Sequence, residues 1–125
     1  MTLSEDGERI RVAITNPEIA TLTEVVYAWV GPNHFALRVG TAMHPVGPRL
    51  RLYEPHINKS LDNRPSPTPR KEADGWIGAL REGPVVAVMH QPPLIETAAG
   101  VLRPYLNMER QLIRSLRPPF NRTHN

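Results

Sequence analysis

The chain has 125 residues, no cysteine and a formal net charge of +3. That length suits one domain with a single core, and the lack of cysteine excludes disulfides, thiolate zinc sites and cysteine nucleophiles. No apolar run reaches the ~18 residues of a membrane span and no charged-then-apolar leader begins the chain, so we expect a soluble, cytoplasmic protein.

Positive charge is concentrated towards the C-terminus. From Arg103 onward there are five arginines and one acidic residue, Glu109, whereas the first 62 residues carry six basic and seven acidic side chains. This asymmetry predicts that the C-terminal part contacts a polyanion, most commonly nucleic acid. A basic surface that serves only solubility is the alternative.

The first part of the chain predicts short strands. Residues 9–15 largely alternate polar and apolar side chains, which is typical of a strand. Residues 24–30 and 35–40 are rich in β-branched and aromatic side chains, and the segment between them contains glycine, proline and asparagine. These two segments therefore predict a β-hairpin with a loop of about four residues.

Prolines divide the middle of the chain. Pro48 stands before residues 49–53, where it fits the first turn of a helix, and Pro55 is expected to limit how far that helix continues. Three prolines within residues 65–69 predict an extended loop.

The last part of the chain predicts three helices and one strand. Residues 71–81 carry apolar side chains at helical spacing. Residues 84–90 form a continuous apolar run bounded by prolines, which predicts the buried central strand of a sheet. Residues 95–102 and 105–116 are both predicted to be helical.

The helix predicted over residues 105–116 carries one carboxylate, Glu109, among arginines. Leu112, Ile113 and Leu116 form an apolar stripe, and Glu109 lies at the edge of that face. A carboxylate at a core edge within a basic surface suits a metal ion that faces a phosphate. The alternative is that Glu109 pairs with neighbouring arginines along the helix.

The order of these pieces resembles the GIY-YIG nuclease family over roughly residues 24 to 122. Val25-Val26-Tyr27 stands where the family's first signature segment ends in a tyrosine. Arg38-Val39-Gly40-Thr41 matches the second segment, except that Arg38 replaces a tyrosine.

The resemblance implies an α+β fold. It predicts a small antiparallel sheet of about three strands, one from each arm of the hairpin and one from residues 85–90, flanked by helices. The nuclease-like domain would cover residues 24–125, and residues 1–23 would be an N-terminal extension with a short strand.

The resemblance also implies site residues. Arg49, followed by Leu50, best matches the helix arginine of the family, and Arg51 is the alternative. Tyr53 matches the residue one turn further on, with His56 as competitor. The implied catalytic set is Tyr27, Arg38, Arg49, Tyr53, His56, Glu109 and Asn121, and the expected nucleic-acid contacts are Arg51, Arg110, Arg114 and Arg117.

This set implies a metal-dependent endonuclease that hydrolyses phosphodiester bonds, above all in DNA. Glu109 would hold Mg²⁺ or Mn²⁺, Arg49 would clamp the phosphate, Tyr27 would activate water, and Asn121 would orient the site through hydrogen bonds. The alternative is a catalytically inactive nucleic-acid-binding protein on the same scaffold, which needs the arginines but has no use for the carboxylate.

The substitution at Arg38 has a predicted electrostatic effect. Counting back from a four-residue turn puts Tyr27 directly opposite Arg38, on the same face of the hairpin. A guanidinium so close favours the phenolate, so we predict a Tyr27 pKa below its usual value near 10 and a stronger general base. A cation–π contact is the alternative, and a one-residue slip in register would remove the effect.

Overall fold

The computed structural model describes residues 1–121, so residues 122–125, at the end of the predicted nuclease-like domain, lie outside the described part. In chain order its elements are β1 (Thr2–Leu3), β2 (Ile10–Arg11), a 3-10 helix (Ile19–Thr21), β3 (Val25–Val30), β4 (Ala36–Ala42), α1 (Val46–Arg51), α2 (Tyr53–Leu61), α3 (Arg70–Glu82), β5 (Val86–His90), β6 (Ile95–Thr97), β7 (Gly100–Leu102) and α4 (Tyr105–Leu116). None of these helices is long and apolar enough to cross a bilayer.

A three-stranded antiparallel sheet in the order β4-β3-β5 organises the fold. β1 pairs with β2, and β6 pairs with β7, as two separate antiparallel ribbons. The predicted fold class, α+β with a small antiparallel sheet flanked by helices, is confirmed. The three strands of the sheet are also those that the sequence predicted.

The central strand is β3, because both of its edges are paired. Tyr27 lies opposite Gly40 of β4 and opposite Met89 of β5. The prediction that residues 84–90 form a central strand is wrong, since β5 lies at the sheet edge and Val86 and Val88 are more than half exposed. A run of β-branched residues suits edge and central strands alike, so composition could not separate the two.

The side chains of β3 alternate between two hydrophobic cores, one on each face of the sheet. Tyr27 and Trp29 point into the larger one, which α1, α2 and α3 cover with residues such as Trp76 and Ile57. Val26 points to the other face, where α4 packs over it with Tyr105 and other residues. Successive residues of a strand point to opposite faces of the sheet. Both faces of β3 are covered, which is why the strand consists of aliphatic and aromatic residues.

The helices around the two prolines begin earlier and extend further than predicted. α1 starts at Val46, before Pro48, and Pro55 lies within the first turn of α2, which continues to Leu61. α1 does end before Pro55, at Arg51, but a second helix that was not predicted contains Pro55 in its first turn, where the N–H groups have no intrahelical partner and a proline removes no hydrogen bond. One exposed junction residue, Leu52, separates the two helices.

Residues 95–102 form a β-hairpin instead of the predicted helix. Ile95 pairs with Leu102 and Thr97 pairs with Gly100, whose φ of 128° is accessible to glycine. The Thr97 hydroxyl donates to the Gly100 carbonyl at 2.7 Å and closes the turn. The β-branched residues at the paired positions favour strands, and the apolar spacing alone concealed this.

The predicted N-terminal strand is shorter than expected. Only Ile10 and Arg11 pair with β1, after which the Val12 N–H donates to the Glu54 carboxylate of α2 at 2.7 Å. Ile10 and Met1 are buried in the larger core.

Candidate active site

A single cleft of about 320 Å³ collects the side chains that the sequence suggested. It opens between β3, β4, α1, α2 and α4, and the loop before α3 forms part of its rim. Its lining includes all seven predicted catalytic residues, namely Tyr27, Arg38, Arg49, Tyr53, His56, Glu109 and Asn121. Residues separated by up to 94 positions in sequence therefore share one surface.

Tyr27 forms the floor of the cleft. Its side chain is 3% exposed, and its hydroxyl lies 2.9 Å from the hydroxyl of Tyr53 on α2. The two rings meet edge to face, with centroids 6.2 Å apart. The hydroxyls thus form a hydrogen-bonded pair in which Tyr53, the less buried partner, lies nearer the solvent.

The Tyr27 ring lies directly against the backbone of Gly40. A Cβ at position 40 would come within 2.5 Å of Tyr27 Cζ. Because the two residues are paired on neighbouring strands, neither can move away without breaking the sheet. The glycine of the second signature segment is therefore what makes room for the tyrosine of the first.

The predicted register between Tyr27 and Arg38 is wrong. The turn occupies five residues between β3 and β4, and the register shifts again between Trp29 and Val30, so Arg38 lies opposite Trp29. Two residues of displacement leave Arg38 on the same face as Tyr27 but diagonal to it.

The predicted lowering of the Tyr27 pKa is also wrong. Burial raises the pKa of the phenol well above its usual range, and the neighbouring Tyr53 raises it further. Arg49 and, to a smaller extent, Arg38 lower this pKa without offsetting the burial. Tyr27 is therefore a neutral phenol at neutral pH.

Arg38 makes three contacts across the site. Its Nη1 donates to the Phe120 carbonyl at 3.1 Å and lies 3.4 Å from the Glu72 carboxylate. Its Cζ lies 5.7 Å from the centre of the Tyr53 ring, which is cation–π distance. The expected cation–π contact therefore exists, but with Tyr53 instead of Tyr27.

The helix pair α1–α2 presents Arg49, Tyr53 and His56 to the cleft. The three residues lie four and then three positions apart, which places them on one helical face. Arg49 lines the cleft, whereas Arg51 is exposed and its Nη1 lies close to Gly47, so the geometry favours Arg49 as the arginine of the site. Tyr53 and His56 both belong to the lining.

Glu109 enters the cleft from α4 and is partly buried. One turn later Ile113 lines the same cleft and is buried against β4, so the helix face that anchors α4 also carries the carboxylate. Arg110, Arg114 and Arg117 are exposed and follow a neighbouring stripe of the helix and its C-terminal end. They flank the cleft without lining it.

Asn121 fastens the end of the described chain to β4. Its Oδ1 accepts a hydrogen bond from the Val39 N–H at 2.8 Å, and its Nδ2 donates to the Val39 carbonyl at 2.7 Å. The Phe120 N–H donates to the Leu37 carbonyl at 3.0 Å. These bonds supply partners to the outer edge of β4 and hold the segment after α4 beside the cleft.

Glu72, a buried carboxylate of α3, also lines the cleft and was not among the site residues predicted from the sequence. Glu72 lies four residues before Trp76, so the two side chains share one face of α3, and that face is buried. A charged residue on the apolar face of a helix is uncommon and could have been noticed.

The donor set of the cleft suits a hard divalent cation bound through water. The lining contains two carboxylates, Glu109 and Glu72, and Glu109 is the more exposed of the two. Within residues 1–121, no three His, Cys, Asp or Glu side chains gather as a complete ligand set. One carboxylate with waters and phosphate oxygens is the usual environment of Mg²⁺, whereas zinc prefers several protein ligands.

Comparison with known proteins reveals a structural neighbour. No protein-family model matches the chain, and no curated protein sequence matches it. The fold is similar to that of bacteriophage T4 EndoII, solved as a variant with one glutamate replaced by alanine, with a TM-score of 0.59 and 17% sequence identity. The alignment covers 97% of this chain and 86% of that chain. At this identity the likeness establishes a shared fold.

Proposed function

We propose that this protein is a metal-dependent endonuclease of the GIY-YIG type that hydrolyses phosphodiester bonds in DNA. The observation that carries the proposal is the convergence of Tyr27, Arg49 and Glu109 in one cleft. Water, phosphate and cation must meet within hydrogen-bonding and coordination distances for such a reaction. The neighbour's name, EndoII, and its shared fold support the same class of activity.

Glu109 is proposed to hold Mg²⁺ or Mn²⁺ at the open side of the cleft. When bound, such an ion neutralises charge that develops on the phosphate. Glu109 lines the cleft one turn before Ile113, which is buried in the smaller core, so the packing of α4 fixes the backbone that carries the carboxylate.

Arg49 is proposed to bind the phosphate. It is exposed at the cleft and belongs to a helix whose Val46 and Leu50 are buried, which gives the flexible side chain a fixed base. A planar guanidinium can donate two parallel hydrogen bonds to phosphate oxygens, which fixes orientation as well as charge.

The Tyr27–Tyr53 pair is proposed to orient the attacking water and to take its proton. Because Tyr27 is neutral, it can accept that proton at Oη only as it passes its own proton to Tyr53 Oη, 2.9 Å away. Tyr53 lies nearer the solvent and, as it accepts the proton of Tyr27, releases its own hydroxyl proton to the solvent, so each hydroxyl ends with one proton. The pair therefore relays a proton without a free phenolate.

Nucleic acid is proposed to lie across the cleft and along α4. Arg110, Arg114 and Arg117 form an exposed basic stripe that begins next to Glu109 and can contact backbone phosphates. Arg51 adds a further exposed cation at the end of α1, beside the junction with α2.

The proposal is tested by incubating the purified protein with supercoiled plasmid and Mg²⁺ or Mn²⁺, with and without chelator, and in parallel with single- and double-stranded RNA. We expect nicking of DNA that depends on the cation and disappears in Glu109→Ala. Glu82→Gln, an exposed glutamate at the end of α3, is the matched control and should cleave normally. Tight DNA binding without cleavage under every condition would instead establish the non-catalytic binding protein.

A further inference from the structure

Glu72 is the most deeply buried acidic side chain near the cleft, at 7% exposure. Its Oε2 accepts a hydrogen bond from the Trp76 Nε1 at 3.2 Å, and its Oε1 lies 3.4 Å from Arg38 Nη1. A carboxylate is rarely buried unless its charge is paired and its oxygens are hydrogen-bonded. Both conditions are met here, on one side by α3 itself and on the other by β4.

Arg38 transmits the position of Glu72 to the cleft. Its guanidinium contacts the Phe120 carbonyl and lies over the Tyr53 ring. Its Nε is buried and has no hydrogen-bond partner within the described residues. Nη1 is therefore engaged by the protein on two sides, and this fixes the guanidinium at the inner wall of the cleft.

We propose that Glu72 is a positioning residue for the cleft: its carboxylate fixes the Arg38 guanidinium against the Tyr53 ring and thereby holds the Tyr53 hydroxyl beside that of Tyr27. In this arrangement the arginine that replaces the second signature tyrosine is a support for Tyr53, and Glu72 is its counter-charge. The kinetic consequence rests on the proposed nuclease function, whereas the geometric consequence does not.

The geometric consequence is tested by NMR on protein labelled with ¹³C at the tyrosine Cζ. The chain has three tyrosines, and Tyr105 lies in the smaller core on the opposite face of the sheet, so it serves as an internal control. In Glu72→Gln we expect the Tyr53 and Tyr27 signals to move while that of Tyr105 stays in place. Unchanged Tyr53 and Tyr27 signals in a folded Glu72→Gln protein would overturn the proposal, whether or not the protein cleaves DNA.

The kinetic consequence is tested by a double-mutant cycle. Misplacement of a reacting group by about 1 Å can cost up to ~100-fold in rate, so we expect Glu72→Gln to lower kcat by roughly ten- to a hundredfold with little change in KM. In the Tyr53→Phe background the same change should have little further effect, because its target hydroxyl is already absent. A conservative Arg38→Lys should retain more activity than Arg38→Met.

The matched control is Asp74→Asn, which removes an exposed carboxylate from the same helix, where it pairs with Arg70. It should leave kcat unchanged.

A purely structural Glu72 predicts a different result: Glu72→Gln would lower stability while the folded fraction kept the wild-type kcat, and the effects of Glu72→Gln and Tyr53→Phe would be additive. Either observation would refute the positioning role. If the wild type cleaves nothing, the proposed function fails, and the tyrosine signals alone decide this proposal.

Discussion

The ring of Tyr27 crosses the backbone of β4 at Gly40, with no space between them for a Cβ atom. Both residues are buried in paired strands, so strain at this point cannot relax through a loop. The size of one side chain therefore decides where the tyrosine hydroxyl lies.

We predict that Gly40→Ala abolishes cleavage and lowers the free energy of unfolding by about 1–3 kcal/mol, the usual cost of overpacking a core. Urea denaturation and the plasmid assay measure the two effects. Gly78→Ala is the control: its Cβ would meet nothing within 4 Å, and removing a glycine from a helix interior should stabilise the protein by about 0.5–1 kcal/mol. Wild-type activity in Gly40→Ala would show that Tyr27 is not placed by this contact.

The raised pKa of Tyr27 predicts a loss of stability at alkaline pH. The unfolded phenol ionises near 10, whereas the folded one keeps its proton to higher pH, so the unfolded state alone releases a proton as the pH rises above about 10. Stability is therefore fully present below that pH and declines above it. Urea denaturation at pH 8 and pH 11 should show a smaller decline for Tyr27→Phe than for the wild type; equal declines would contradict the raised pKa.

Site residues could be predicted from the sequence where a motif contained them, but their pKa values could not. Tyr27 and Gly40 could be identified from the sequence, but the pKa of Tyr27 depends on its burial under α2 and on a register that a bulge shifts. Counting back from the turn assumes that the residues of the two strands pair one to one. The irregularity between Trp29 and Val30 breaks this pairing and leaves no mark in the composition of the strands.

Among the elements, β4 depends on the segment that follows α4. Asn121 uses both ends of its amide to pair with Val39, as a neighbouring strand would. Val39 is almost fully buried, so water cannot readily replace these two bonds.

We predict that Asn121→Ala lowers the free energy of unfolding by roughly 2–4 kcal/mol, because it leaves one buried donor and one buried acceptor unpaired. Hydrogen exchange of the Val39 amide should accelerate at the same time. Asn107→Ala, on the exposed face of α4, should change stability by no more than about 0.5 kcal/mol. An unprotected Val39 amide already present in the wild type would argue against the pairing.

Element prediction succeeded where local pattern and tertiary environment agreed. The helices α3 and α4 were predicted because each buries one face with a helical period, and the hairpin of β3 and β4 because β-branched and aromatic segments flank a turn-forming one. The helix predicted over residues 95–102 was wrong because the hairpin found there is exposed along both strands. Its apolar residues therefore follow no period that a buried face would require.

At the scale of the whole molecule, α3 and α4 cover opposite faces of the sheet and carry different charge. α4 carries Arg110 next to Glu109 of the cleft and Arg114 one turn further on, whereas exposed Arg11 and Arg81 do not line the cleft, and Arg81 borders a different pocket. A nucleic acid engaged at the cleft should therefore contact the first pair and not the second.

We predict that replacing Arg110 and Arg114 together by glutamine weakens DNA binding and lowers the slope of log affinity against log salt by about 2, since each phosphate contact contributes roughly 0.9. Fluorescence anisotropy over a range of NaCl concentrations measures the slope. The matched double variant, Arg11→Gln with Arg81→Gln, should leave it nearly unchanged. Equal effects of the two pairs would indicate attraction by net charge alone.

The convergence of the site could be anticipated only from the shared order of motifs. Nothing in local pattern brings Glu109 of α4 to Tyr27 of β3, because their meeting depends on how α4 packs across the sheet. Glu72 remained hidden for the same reason: its role arises from its contact with Arg38 of β4, which lies 34 residues away.

The most direct test of the nuclease account compares binding and cleavage in one variant, Glu109→Gln. Removing a negative charge beside the phosphate should leave DNA affinity unchanged or higher, while loss of the ion's ligand should bring Mg²⁺-dependent nicking of plasmid below detection. Glu96→Gln, on the exposed hairpin, provides a control with the same chemical change. Nicking by Glu109→Gln at the wild-type rate would show that the carboxylate only supports the fold and that this cleft is not a metal-dependent active site.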